Sequence, residues 1–578
     1  MSNKELTGYP SIDKPWLKYY SEEAINAKLP ECSVYEYLWE SNKDYLDNVA
    51  ISYFDREISF GQLFDEIEKS AKAFSSIGIQ KGDVIIMATV TTPETIYAFY
   101  ALNRLGAIAN MVDPRTSVEG IKEYIEEVDA KYVLTIDVAY PKIQKAIEKI
   151  DIKKVIVVSA GDSLPGIKKA LFTLSNQMKG ATPKLEKNCV KWRELIKQRA
   201  GQCVFPSYEK DKCCVIEHTG GTTGMPKGVM LSNDNFNSAA FQIKNSPLRL
   251  KRQDKFFNIM PPFIAYGMVL GVHIALTHGW KSILIPKFDL EDFSNLLLKY
   301  KPAGTMGVPT YFEGLMDDPK LKGKDLSHIK VVLVGGDKTL VEFEKKVNAF
   351  FAAHNADIHL SKGYSMTEAS ATATFSFEEI NKAGSAGIPF AQTIVTAFEP
   401  ETDKGLKVGE TGEICISTPT MMLGYYAKEA ETKFVLKKHS DGRVWIHSGD
   451  LGHVDEDGCV YIDGRLKRMI IRYDGFKVFP SFIENVVSEQ KDIETCCAVG
   501  TQDTAHSQGK LPVVYAVLKH DCENERQALE SELAELCKNE LPEYAQPVAF
   551  KFVEKMPLTP IGKVDYRALE DMENESHR

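Results

Sequence analysis

The chain lacks the features that would mark a membrane, secreted or nucleic-acid-binding protein. No stretch reaches about 18 uncharged apolar residues, the length a membrane-spanning helix needs. The opening MSNKELTGYPSIDKPW has no apolar core, so no secretory leader is expected. Eleven cysteines are scattered along 578 residues and none forms a C-x-x-C. That spacing argues against a zinc site and a disulfide framework, and reads as reduced thiols in a cytoplasmic protein. Positive charge is not in excess: 70 Lys and Arg against 80 Asp and Glu give −10. A basic surface for duplex nucleic acid is not expected. Internal repeats and low-complexity tracts are missing as well.

What is present is ordinary globular material, 44% apolar and 26% charged, with length for two to four domains. Apolar strand-like runs at 84–90, 154–158, 282–286 and 331–336 alternate with helical patterns such as 60–74. Such alternation predicts layered α/β structure. The texture changes after about residue 440. Asp-Gly pairs in 453–465 and 469–480 predict two β-hairpins. Residues 525–540 place Leu529, Leu533 and Leu536 on one helical face. The expected architecture is a large α/β unit over 1–464 and a smaller α+β unit over 465–578, with the boundary near Asp463–Lys467. The polar segment 175–200, weakly periodic, reads as an exposed excursion.

The strongest chemical signal is Glu217-His218-Thr219-Gly220-Gly221-Thr222-Thr223-Gly224-Met225-Pro226-Lys227-Gly228, which follows a strand-like CCVIE. Glycines and small hydroxyl residues let backbone N–H groups wrap phosphate oxygens. Lys227 adds a point charge. Pro226 excludes a Walker A loop, which needs Gly-Lys-Ser/Thr at its end. The string resembles the phosphate loop of the adenylate-forming superfamily: acyl- and aryl-CoA synthetases, peptide-synthetase adenylation domains and luciferases. The resemblance runs from about residue 30 to 570, in the family's order.

That resemblance implies roles for further residues. Gly363-Tyr364-Ser365-Met366-Thr367-Glu368 is similar to the family's Gly-Tyr-Gly-x-Thr-Glu segment. It implies Tyr364 against adenine, Thr367 on the α-phosphate and Glu368 on Mg²⁺, a hard cation that takes carboxylate oxygen. His447-Ser448-Gly449-Asp450 resembles the segment whose aspartate accepts both ribose hydroxyls, and Arg465 the arginine that also reaches the ribose. Lys467 falls at the family's hinge. Pro557-Leu558-Thr559-Pro560-Ile561-Gly562-Lys563 resembles the loop carrying the catalytic lysine, which bridges substrate carboxylate and α-phosphate. Gly475 and Phe476 would pass close to the pantetheine of coenzyme A. Gly335, Gly336 and Asp337 would hold adenine. Gly412-Glu413-Ile414 and Gly424-Tyr425-Tyr426 match motifs that are mainly structural.

The chain departs from the family in its acyl pocket, expected from Phe263, Ile264, Tyr266, Gly267 and Val308. Many relatives have His where Ile264 stands, and amino-acid-activating domains have Asp. An ammonium without a partner in an apolar pocket is costly, so α-amino acids are disfavoured. The expected activity is ATP- and Mg²⁺-dependent activation of an apolar carboxylic acid, fatty, aryl or alicyclic, followed by transfer to coenzyme A. The alternatives are an enzyme loading an acyl carrier protein and a non-catalytic nucleotide binder. The cations Lys467, Arg468, Arg472 and Lys477 form a candidate site for the 3′-phosphate of coenzyme A.

Overall fold

The computed structural model describes residues 6–576 apart from 167, 169–171, 173–184, 198–202, 220–225, 338, 475, 507, 520–525 and 559–563. Two largely parallel sheets form the bulk of the molecule. The first has eight strands, in the order Gly424–Tyr425, Gly228–Ser232, Cys213–His218, Ile108–Val112, Val84–Ala88, Tyr132–Ile136, Lys154–Val158 and Cys189–Lys191. Its first two strands run antiparallel to their neighbours and the rest are parallel. The second has seven, in the order Ser361–Lys362, Val331–Val334, Gly304–Gly307, Lys255–Asn258, Lys281–Leu284, Val49–Tyr53 and Arg56–Ser59.

Why these runs read as continuously apolar is visible in Val84–Ala88. Ile85 and Met87 enter the core shared by the two sheets, while Ile86 and Ala88 enter a second core on the outer face. A strand covered on both faces has no polar side to show. The shared core also takes helices Pro93–Leu105 and Asn233–Lys244 and the wide-turned helix Tyr266–Ile274. Local signals start and stop these elements. Ser59 and Gln62 form a capping box for Phe60–Ser76. Thr92 caps Pro93–Leu105, and Gly106 ends it at φ +69°.

A third, antiparallel sheet joins Ile394–Phe398, Gly412–Ser417, Val444–Val454 and Leu436–Lys438, with Val460–Arg465 paired to Val444–Val454. Beyond it, the hairpin Ile470–Ile471/Lys477–Val478 precedes a three-stranded sheet of Ile493–Gln502, Lys510–Leu518 and Ala549–Phe552. That sheet has its own core with helices Pro480–Ser488 and Arg526–Glu540. Both expected hairpins are present.

Two details differ from the sequence reading. Helix Arg526–Glu540 buries Leu529, Leu533 and Cys537, while Leu536 is half-buried. A four-residue step from Leu533 keeps Cys537 on the stripe, and the thiol packs as a small apolar group. Within 175–200, strand Cys189–Lys191 and helix Trp192–Ile196 are packed, with Trp192 and Leu195 buried. The excursion therefore carries two anchored elements in its described part.

Candidate active site

The candidate residues gather where the parallel strands end. In open α/β sheets, ligands bind outside the carboxyl ends of the strands. Thr219 follows strand Cys213–His218, Val308 follows Gly304–Gly307, Gly335 follows Val331–Val334, and Gly363 follows Ser361–Lys362. The Gly335 N–H donates to the Gly307 carbonyl at 3.2 Å, and the Gly363 N–H to the Val334 carbonyl at 3.3 Å. A Cβ on Gly335 would meet the Gly363 carbonyl at 3.5 Å and the Tyr266 hydroxyl at 3.8 Å. Gly336 has φ +80°, which suits glycine, and Asp337 is exposed beside it. Gly335, Gly336, Gly363, Tyr266 and Val308 thus form one wall.

Phosphate-loop residues 220–225 lie outside the described residues, but both ends of the loop are fixed. The Thr219 N–H donates to the Lys227 carbonyl at 3.1 Å, and the Lys227 N–H donates to Thr219 Oγ1 at 3.2 Å. This reciprocal pair closes the neck. Lys227 Nζ sits 4.7 Å from the centre of the Tyr425 ring. The Tyr425 hydroxyl donates to Glu368 Oε1 at 2.6 Å. Burial raises the Glu368 pKa, opposed by that hydrogen bond. Thr367 opens the short 3₁₀ turn Thr367–Ala369, and Ser365 Oγ donates to the Met366 carbonyl at 3.4 Å. Glu368 offers a hard oxygen donor close to the loop's lysine, which fits Mg²⁺.

Asp450 is the second anchor. Its carboxylate accepts from the Tyr364 hydroxyl at 2.6 Å and pairs with Arg465 Nε at 2.7 Å. The turn holding it is braced from behind. The Asp450 N–H donates to Ser448 Oγ at 3.0 Å, and the Gly449 N–H donates to Glu413 Oε1 at 3.0 Å. Glu413 Oε2 in turn accepts from His447 Nδ1 at 2.8 Å, and His447 Nε2 faces His439 Nε2 at 2.9 Å. Burial alone would raise the Glu413 pKa, yet the His447 bond wins and lowers it. His439 is thus a support that sequence reasoning missed, while Glu413 and His447 lie in strings it singled out without pairing them. Glu413 sits two residues before Cys415, which pairs across strands with His447, so only the sheet register brings them together.

The acyl-pocket residues share the inter-sheet core. Phe263 is buried, and Ile264, Tyr266 and Val308 pack against the same cluster. A Cβ on Gly267 would fall 1.9 Å from the Pro261 carbonyl oxygen, so only glycine fits there. One buried residue just before the loop stands apart. Glu217 is fully buried, and neither carboxylate oxygen has a hydrogen-bond partner among the described residues. Burial raises its pKa well above the usual 4.5. Next to it, burial pushes His218 down to about 4.

An acid whose folded pKa is raised contributes fully below its unfolded pKa and loses that contribution as pH rises towards the folded value. Glu217→Gln removes this loss. The variant should match the wild type in thermal unfolding near pH 4 and exceed it above. The difference should grow by about 1.4 kcal/mol per pH unit from pH 4.5 until the folded group ionises. A gain that stays flat with pH would contradict the buried, neutral carboxyl.

The segment 465–468, where the sequence places the boundary, is bracketed by ion pairs. Arg465 is tied to Asp450, and Arg468 to Glu484 at 2.5 Å and the Ala498 carbonyl at 3.1 Å. Leu466 and Lys467 alone lie between them, with Lys467 exposed. Of the candidate cations for a 3′-phosphate, Arg468 is therefore engaged, and Arg472 pairs with Asp474 at 2.9 Å. Phe476 stacks on Tyr544 with centroids 4.7 Å apart. Gly475 and Lys563 lie outside the described residues. The ends of the Lys563 loop pair as an antiparallel bridge between Leu558 and Val564.

Comparison with known proteins places the chain. Residues 38–426, more than half of it, match the AMP-binding enzyme family, and residues 483–563 match the AMP-binding enzyme C-terminal domain. A long-chain-fatty-acid–CoA ligase of Bacillus subtilis (strain 168) is 29% identical over 98% of this chain and 99% of its own. The anthranilate CoA ligase AuaEII, solved with anthranoyl-AMP, superposes with a TM-score of 0.81 at 17% identity, covering 95% of this chain and 99% of its own. ATP-bound MatB from Rhodopseudomonas palustris superposes at 0.79 with 21% identity, covering 94% and 100%. No helix among the described residues is long and apolar enough to cross a membrane. By the extent of the family match, the chain belongs to the AMP-binding enzymes, the adenylate-forming superfamily that its motifs resemble.

Proposed function

We propose that the protein is an AMP-forming acid–thiol ligase for an apolar carboxylic acid. The acid's carboxylate attacks the α-phosphorus of ATP, giving an acyl-adenylate and pyrophosphate. The thiol of coenzyme A then attacks the acyl carbonyl, giving the thioester and releasing AMP. The observation that carries this reading is the linking of three motifs by side-chain contacts: Lys227 and Glu368 joined through Tyr425, and Asp450 held by Tyr364 and Arg465.

In this scheme the loop Thr219–Lys227 and the Lys227 ammonium hold the departing phosphates. Thr367 bonds the α-phosphate. When bound, Mg²⁺ at Glu368 supplies charge neutralisation between phosphate oxygens. Asp450 exchanges its Tyr364 and Arg465 partners for the ribose hydroxyls, a job for a two-oxygen acceptor. Tyr364, Gly335 and Gly336 flank adenine, with Asp337 at its amino group. Phe263, Ile264, Tyr266 and Val308 line the acyl site without a carboxylate or imidazole among them, which disfavours an ammonium-bearing acid. The B. subtilis relative is named for fatty acids and the structural neighbour for an aromatic acid, both largely apolar.

The small unit, 465–578, would bring Lys563 to the carboxylate for the first step. It would then pivot at Lys467 and bring Gly475 and Phe476 to the pantetheine. With Arg465 pinned to Asp450 and Arg468 to Glu484, rotation would concentrate in the two residues between. Hinges of a few residues absorb such changes. Lys467→Pro fixes φ there, so thioester formation should fall by about tenfold or more while adenylation is much less affected. Single-turnover assays of each half-reaction check this; a normal thioesterification rate would dismiss the hinge. Asp450→Ala should raise KM for ATP by about tenfold or more, the loss of a charged hydrogen-bond acceptor. An unchanged KM would dismiss the ribose role. The reading itself is tested by acid-dependent exchange of labelled pyrophosphate into ATP. Exchange should require both Mg²⁺ and a carboxylic acid, and exchange indifferent to the acid would overturn it.

A further inference from the structure

We infer that Tyr425 is a positioning residue for the first half-reaction, orienting the Glu368 carboxylate with its hydroxyl and holding the Lys227 ammonium over its ring. The inference rests on the proposed function and deepens it. The Tyr425 hydroxyl donates to Glu368 Oε1 at 2.6 Å. A hydrogen bond to a carboxylate is short and roughly twice as strong as a neutral one. It fixes the turn of the carboxylate about its last bond, which decides where the other oxygen points. Lys227 Nζ lies 4.7 Å from the ring centroid, within cation–π range. One side chain therefore touches the cation expected on the departing phosphates and the carboxylate expected on the metal.

Tyr425 is built to hold still. It is 5% exposed. Its backbone pairs antiparallel with Val229, just past the phosphate loop. Its N–H donates to Thr432 Oγ1 at 2.8 Å, and that hydroxyl donates to the Lys428 carbonyl at 2.9 Å. The Met422 N–H reaches back to the Glu368 carbonyl at 2.8 Å. The segment 422–425 thus grips Glu368 by main chain and side chain together. Gly424, at φ +144°, makes the turn that delivers the tyrosine. A Tyr there is easily read as core, since the strand is two residues long and the ring is covered.

Tyr425→Phe keeps the ring and removes the O–H, whereas Tyr425→Leu removes both. Two readouts separate positioning from packing. One is equilibrium binding of Mn²⁺, followed by electron paramagnetic resonance with a non-hydrolysable ATP analogue. The other is acid-dependent pyrophosphate exchange, and circular dichroism confirms folding of each variant. Tyr425→Phe should weaken Mn²⁺ about tenfold and lower the exchange kcat by a similar factor. KM for the acid and metal-free binding of the analogue should stay unchanged. Tyr425→Leu should in addition weaken metal-free binding of the analogue severalfold. Mn²⁺ binding by Tyr425→Phe at the wild-type level would overturn the inference. Glu368→Gln separates the two levels of argument. If it loses Mn²⁺ and exchange while Tyr425→Phe keeps both, the positioning role alone falls. If Glu368→Gln is itself normal, the metal assignment falls and the positioning role falls with it.

Discussion

Lys563→Ala should lower acyl-adenylate formation by about 10²-fold or more while thioester formation from supplied acyl-adenylate proceeds at the wild-type rate. The asymmetry is the point. Before the first step, a substrate carboxylate and an α-phosphate, both anionic, must approach within bonding distance. A cation between them stabilises charge that is spread further in the transition state, and such stabilisation raises kcat more than it lowers KM. In the second step the carboxylate is already an acyl group, and the lysine has no charge there to offset. The described residues on either side of this lysine are tied to one another. Leu558 and Val564 form a bridge, and the Asp565 N–H donates to the Pro557 carbonyl at 2.8 Å. Asp565 Oδ1 also accepts from the N–H groups of Arg567 and Ala568, at 3.2 and 3.3 Å, and so caps the helix Tyr566–Ser576. Alanine at 563 removes the cation and leaves the residues that make these ties unchanged in sequence. Rapid-quench measurement of each half-reaction reads the two effects separately. Equal loss in both would contradict the role.

Lys362→Met should cost about 3–5 kcal/mol of stability, because it strands the buried Glu344 carboxylate. Lys362 Nζ lies 2.5 Å from Glu344 Oε1 and donates to the Lys382 carbonyl at 2.9 Å, and the side chains are 4% and 6% exposed. Burial lowers the Lys362 pKa, opposed by Glu344. The pair joins helix Val341–Ala353 to the strand end Ser361–Lys362, and the Gly384 N–H adds a third tie to Glu344 Oε2 at 3.2 Å. Removing both charges together should recover most of the loss, since buried pairs are often matched by apolar residues of similar volume. Gly363 and Tyr364 follow directly, so the single variant should also raise KM for ATP by shifting Tyr364 against Asp450. Denaturant unfolding of Lys362→Met, Glu344→Leu and the double variant forms a cycle. Simple additivity of the three would contradict a coupled pair.

These pairs mark what could not be read from the chain alone. Parallel strands such as Val84–Ala88 were legible, because burial on both faces leaves an unbroken apolar run. The glycine- and hydroxyl-rich string at 219–228 stood out because a loop that wraps phosphate needs such residues close together in sequence, though 220–225 lie outside the described residues. The partners that aim the loops did not. Glu368 and Tyr425 lie 57 residues apart, Tyr364 and Asp450 86, and Lys362 and Glu344 18. No local period or spacing links such residues: the motifs single out Glu368, Tyr364 and Asp450, but nothing in the chain pairs them with these partners. The partners of the basic cluster at 467–477 were hidden for the same reason. Arg468 and Arg472 have carboxylates of their own, Glu484 and Asp474, and only Asp474 is close in sequence. In helix Arg526–Glu540 the stripe passes through Cys537, a residue easily set aside when counting apolar positions.

The central claim is that this AMP-binding enzyme joins an apolar acid to a thiol through an adenylate. It is tested most directly by incubating the protein with ATP, Mg²⁺ and a panel of acids, with and without coenzyme A. The panel runs from acetate through long-chain fatty, aryl and sterol acids to amino acids, with products read by mass spectrometry. The account predicts acyl-CoA and AMP from at least one apolar acid, acyl-adenylate alone when coenzyme A is withheld, and neither from the amino acids. AMP formation confined to amino acids, or ATP bound with no AMP released from any acid, would contradict it.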